Sequence, residues 1–158
     1  MIEMTLVGIP VIFVLISIFE MSRGMWIYHT LAYAVKEGTR FAAVHGQDCV
    51  TVLPIVTNAC STTVAQVASV IERAGIGLDR ATTTLTFTAG GAITCTLATC
   101  ASNASQWPPN GSNGIGQTVR IDIIVPFRSA LAMFWPGHRP VSFALTNFGA
   151  TSTETIQF

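Results

Sequence analysis

The sequence predicts an α+β chain in which a long hydrophobic N-terminal helix carries a small antiparallel-sheet domain with one packed helix. Three features predict it. Met4 to Phe19 contains no charged residue, so the chain opens with a segment that must be hidden from water. Val64, Val67, Ala68 and Ile71 recur at helical spacing. Beyond them, short runs alternate apolar and polar residues with period two, as half-buried strands do.

Composition removes several classes of function. Of 158 residues, 50% are hydrophobic and only 10% charged, with eight basic side chains balanced by eight acidic ones. Such a chain is too apolar for a disordered polyelectrolyte, and it lacks the basic face a nucleic-acid partner would require. Catalytic patterns are missing too. Gly111-Ser112-Asn113-Gly114-Ile115-Gly116 has the wrong order for a nucleophile elbow and no lysine for a phosphate loop, and His29, His45 and His138 are scattered. The sequence therefore implies no cofactor, no metal site and no enzyme activity.

The first element is apolar on every side, the pattern of a helix buried in lipid or among other helices. With Met1 and Ile2 the run approaches the ~20 residues that cross a bilayer. Beyond Glu20 the pattern turns amphipathic, with Met25, Tyr28 or His29, Ala32, Val35 or Lys36, and Thr39 or Ala43 forming helical rows. A helix continuing to about Val44 would be a rod of roughly 60 Å, and the alternative is two helices broken near Gly24. Pro10 and Gly8 should loosen the buried half. Glu3 stands at the edge of the run, where a lone carboxylate needs a partner or the interface. Glu20 and Arg23 are spaced to pair, either marking that interface or packing against another subunit.

After His45-Gly46 the composition shifts to Thr, Ser, Ala and Gly, giving a division into a helix over 1–45 and a globular α+β domain over 46–158. Ser61 is expected to cap the second helix and Gly75 to close it. Strands are expected at Thr84–Thr88 and Ile93–Leu97 with Ala89-Gly90-Gly91 between them, then along Val119–Phe127 and around Val141, Phe143 and Leu145. Phe134-Trp135-Pro136-Gly137-His138 reads as a core plug. The stretch from Cys100 to Gln117 reads as a surface loop. Its Trp107 is either an exposed contact for another subunit or an aromatic packed under its own loop, and Asn103-Ala104-Ser105 and Asn110-Gly111-Ser112 have the pattern of glycosylation acceptors.

Cys49, Cys60, Cys95 and Cys100 form two sequence-local pairs, which suits disulfides in an oxidising compartment. Three connectivities are possible, of which Cys49 with Cys60 and Cys95 with Cys100 needs the least fold; the alternative is buried thiols. The cysteines and the Ser/Thr-rich region favour an exported domain, although Arg23, Lys36 and Arg40 after the span would by charge alone favour the inside.

Glu3-Met4-Thr5-Leu6-Val7, Pro10, the aliphatic run, Phe19-Glu20-Met21-Ser22-Arg23 and Ala34-Val35-Lys36-Glu37-Gly38-Thr39-Arg40-Phe41-Ala42-Ala43-Val44 together resemble the TadE-like family of tight-adherence pilus pseudopilins, which are type IV pilin-like. The resemblance covers about the first 45 residues. Val119 to Phe127 and Leu145 to Glu154 fit the family's C-terminal strands loosely.

The resemblance implies a structural subunit cleaved by a prepilin peptidase, with any basic leader ahead of Met1. It implies residence in the inner membrane, then incorporation by the assembly machinery into an extracellular pilus, as main or minor subunit. Identical or related subunits would be the partners, through a helix carrying Glu3, Pro10, Glu20 and Arg23. Glu3 matches the glutamate thought to meet the terminal amine of a neighbour. One other function stays open, a single-pass, membrane-anchored extracytoplasmic binding or assembly protein that does not polymerise; an anchored extracytoplasmic enzyme would require a pocket that gathers His138 with a carboxylate.

Overall fold

The computed structural model describes residues 2–47, 49, 62–127 and 146–157. Its first element is one continuous helix, α1 (Ile2–Ala43), about 63 Å long at 1.5 Å per residue. It runs through Pro10 and Gly24 without a break and ends one residue before Val44. There Val44 N–H still reaches Arg40 O at 3.3 Å, and His45 Nδ1 lies 2.6 Å from Phe41 O.

Helix α2 (Val64–Ala74) is capped two residues later than the serine expected to cap it. Thr63 is the N-cap: its hydroxyl accepts from Gln66 N–H, and the Gln66 side chain accepts in return from Thr63 N–H. A Thr-x-x-Gln spacing satisfies two otherwise unpaired donors at once, an advantage that Ser61 does not have. Gly75 closes the helix as expected, donating to Ile71 O at 2.8 Å. The buried face is Val64, Val67, Ala68 and Ile71.

The sheet holds β1 (Thr84–Thr88), β2 (Ala92–Thr96), β3 (Thr118–Phe127) and β4 (Thr146–Thr155) in the order β2-β1-β3-β4, all antiparallel. Ala89-Gly90-Gly91 makes the first hairpin, with Gly90 at φ +68°; a Cβ there would also strike Ser112 Oγ. Strand β2 stops one residue short of expectation, because Leu97 begins a single helical turn, α3 (Leu97–Cys100), with Thr96 as its cap. That turn brings Cys95 and Cys100 together in a disulfide with Cα atoms 5.5 Å apart. The expected strand around Val141, Phe143 and Leu145 and the Phe134–His138 plug lie outside the described residues.

Leu85, Phe87, Val119, Ile121 and Ile123 point from the sheet toward α1 and α2 and are buried with Leu31, Ala34, Val35 and Ile71. The C-terminal half of α1 is thus part of the domain's core. It contacts β4, α2 and β3, and Thr39 is hydrogen-bonded to Ser152 of β4 at 2.8 Å.

The opposite face of the sheet is polar. Thr84, Thr86 and Thr88 stand beside Thr94, Thr96, Arg120, Asp122, Thr151 and Thr153. Arg120 grips both oxygens of Asp122 at 2.8–3.1 Å. These hydrogen bonds hold the Asp122 carboxyl below the usual carboxylate range, against a smaller opposing effect of burial. A carboxyl depressed in the folded state adds stability that is complete above its unfolded value, ~4, and is lost as pH falls through the folded one. Asp122→Asn should therefore flatten the acid side of the melting-temperature profile below about pH 4, measured over a pH series. An unchanged slope would remove Asp122 from the acid response.

Candidate assembly interface

From Leu6 to Phe19 the side chains of α1 touch almost nothing: Leu6 is 72% exposed, Phe13 52% and Phe19 69%. This half projects as a bare apolar rod, and α1 is long and apolar enough to cross a membrane, with mean hydropathy 1.9 over an apolar stretch of 18 residues. Free in water, such a surface is far beyond the patch a soluble monomer tolerates. It requires lipid or other apolar helices.

The bare half ends sharply at Glu20, which is buried. Arg23 Nη1 lies 3.3 Å from Glu20 Oε1, and its guanidinium stacks over the Phe127 ring at 4.9 Å. The expected pair therefore forms where the rod meets the end of the sheet. Phe148 packs over Gly24 there, at a distance where a Cβ would make an ordinary 3.4 Å contact with the ring. Above this point a row of Gly24, Leu31, Ala34, Val35, Gly38 and Ala42 faces the sheet and α2.

A second row remains uncovered. Val7, Val11, Val14, Ile18, Met21, Met25, Tyr28 and Ala32 alternate by four and three residues, and all are exposed. That is the spacing of a seam between supercoiled helices. It lies about 100° round the helix from the buried row, and it continues past the bare half onto the supported half. Beside it runs a largely apolar groove of ≈ 560 Å³ lined by Met21, Gly24, Met25, Tyr28, Phe127 and Phe148 together with Glu20 and His29. Met25, Tyr28 and Ala32, read from the sequence as helical rows, thus face outward, and the row beginning at Gly24 does the packing. The small residue Gly38 was the available signal.

Glu3 falls in the first turn of α1, and Pro10 is exposed within the bare half. Neither is brought near Glu20 and Arg23, which lie further along the same straight element. Of the two readings of Trp107, the buried one holds and the surface contact does not: it is 1% exposed, its ring edge-on to Phe87 with centroids 5.1 Å apart. Thr62 fixes it there, with its hydroxyl donating to Trp107 O at 2.6 Å and its carbonyl accepting from Trp107 N–H. The loop thus folds its aromatic inward, as burial of so large a ring favours. Cys49 is disulfide-bonded, and the expected pairing with Cys60 falls outside the described residues. Among the described residues no three His, Cys, Asp or Glu side chains converge as a metal would need.

The chain is thus a bare apolar helix carrying a small disulfide-bonded α+β head. Residues 1–40 match the family model described as TadE-like protein, a structural family of pili rather than an enzyme family. The match covers the bare half of α1 and most of its supported half, and none of the sheet. No curated protein and no solved structure matches the chain. The family match and the apolar helix are both consistent with a membrane-anchored, pilus-associated subunit.

Proposed function

We propose that this chain is a pilin-like structural subunit, held in the inner membrane by the bare half of α1 and assembled through it into an extracellular pilus. The observation that carries the proposal is the uncovered apolar rod from Leu6 to Phe19 with its seam continuing to Ala32. Moving such a helix from lipid into a bundle changes its apolar surroundings little, so assembly rests on packing and polar pairing. Contacts repeated head to tail without closing a ring give a filament. The partners are identical or related subunits, with a prepilin peptidase and the assembly machinery acting beforehand and the cystine-containing head facing outward.

Within that bundle Glu3 meets a positive group of the adjoining molecule, the terminal amine, because an unpaired carboxylate in an apolar core is costly. Glu3→Gln should leave the amount of membrane-inserted protein unchanged and lower surface filaments about tenfold, the effect of losing ~1.4 kcal/mol per contact. Filaments counted by electron microscopy beside a membrane-fraction blot give the answer. Normal filament numbers would remove Glu3 from assembly, and a protein that inserts but never forms filaments even when native would be a non-polymerising anchor protein.

A further inference from the structure

Two exposed apolar side chains from separate elements stand near one another at the low end of the sheet, beyond the bare half of α1. Trp26 is 57% exposed and Ile76, in the loop after α2, is 71% exposed. The loop backbone is laid against the indole: a Cβ at Gly77 would be 3.6 Å from Trp26 Cη2 and Cζ3. Gly77 has φ +87°, a turn that favours glycine. The same loop borders a hollow with Arg23, Ile27, Val125 and Phe127, so it sits at the low end of the sheet.

The length of the apolar run fixes what surrounds this pair. Met4 to Phe19, bracketed by Glu3 and Glu20, spans roughly 24 Å, which is short of the ~30 Å hydrocarbon layer. Measured from Glu3, the hydrocarbon would reach about Arg23 and the headgroup layer about Ile27. A short span is relieved when apolar groups beyond its end are drawn into the interface. Tryptophan is the side chain most suited to that layer.

We propose that Trp26 and Ile76 form a foot that seats the folded domain in the headgroup layer of the bilayer before assembly. The charges at this level balance, Arg23, Arg73 and Arg80 against Glu20, Glu72 and Asp79, with Arg23 paired to Glu20 and Arg80 to Glu72. The foot is therefore apolar in character and works on zwitterionic lipid. It fixes the tilt of the head on the membrane, which α1 alone leaves free. The proposal rests on the reading that the bare half of α1 spans the bilayer.

The test uses the full chain in phosphatidylcholine vesicles, with Trp135 changed to Phe so that the native indoles left are Trp26 and the buried Trp107. Trp26 itself then reports the foot, and a second protein carrying Trp26→Phe and Phe13→Trp reports the span. With lipids brominated near the headgroup, Trp26 fluorescence should fall at least about twofold more than with lipids brominated near the chain ends, and Phe13→Trp should show the reverse. The extent should not change with salt, and Ile76→Ser should lessen the headgroup quenching of Trp26. Trp26 quenched only by a water-soluble quencher, or quenched equally with and without Ile76→Ser, while Phe13→Trp responds to the lipid, would overturn the foot and leave the span standing. Neither reporter responding to lipid would overturn both.

Discussion

Met25→Glu is expected to abolish filament formation while leaving the folded subunit and its membrane insertion intact. Met25 is 60% exposed in the isolated subunit, so a polar replacement there should change fold stability by no more than ~0.5 kcal/mol. In the proposed filament the same position would lie on the seam between helices, beside the groove that ends at Phe127 and Phe148. A carboxylate buried there costs several kcal/mol unless His29, four residues on in the same groove, compensates it, and each ~1.4 kcal/mol is a factor of ten. The expected loss is therefore at least about a hundredfold in pelletable filaments, with unchanged membrane-bound protein. Met25→Leu keeps the volume and polarity class and should assemble normally. Native filament yield from the glutamate variant would show that the seam above the bare half is not a contact.

Gly38→Val should destabilise the domain by about 2 kcal/mol or more, despite valine's better helix propensity. Gly38 is where α1 crosses α2. A Cβ there would lie 2.6 Å from Ile71 Cγ1, 2.9 Å from Ile71 Cδ1 and 3.5 Å from Ile121 Cδ1. Ile71 and Ile121 are fully buried, so neither can turn aside and the helices must separate. Ile71→Ala alone should also cost ~2 kcal/mol or more through its cavity. Combined, the two substitutions should fall short of the sum by ~1–2 kcal/mol, since each makes room for the other. Gly24→Ala is the contrasting case: its Cβ would meet Phe148 at an ordinary 3.4 Å, and the melting temperature should hold or rise. Thermal unfolding of the full chain in detergent checks all four. Equal effects at Gly24 and Gly38 would contradict the close crossing.

What the sequence made legible was whatever depends on local pattern. The bare rod follows from a run that no small domain could wrap, and the α2 face from Val64, Val67, Ala68 and Ile71. The strands β1 and β3 follow from alternation, and Gly75 and Gly90 from backbone chemistry. What it concealed depends on contacts between distant residues. The direction of Trp107 is set by Thr62 and Phe87, which approach it only through the fold. The outward-facing row of α1 could not be told from the inward-facing one by hydrophobicity, because Met25, Tyr28 and Ala32 are as apolar as Ile27, Leu31 and Ala34. Gly38 marks the inward-facing row, through the close approach of Ile71. Likewise Thr63 outcompetes Ser61 as a cap because Gln66 stands three residues on.

The most direct measurement is sedimentation of the intact protein at micromolar concentration with and without detergent. The bare rod of α1 should make detergent or lipid obligatory for a monodisperse species, and its removal should drive the protein into large assemblies. A stable, water-soluble monomer in plain buffer, with the rod folded back over its own sheet, would contradict the central claim.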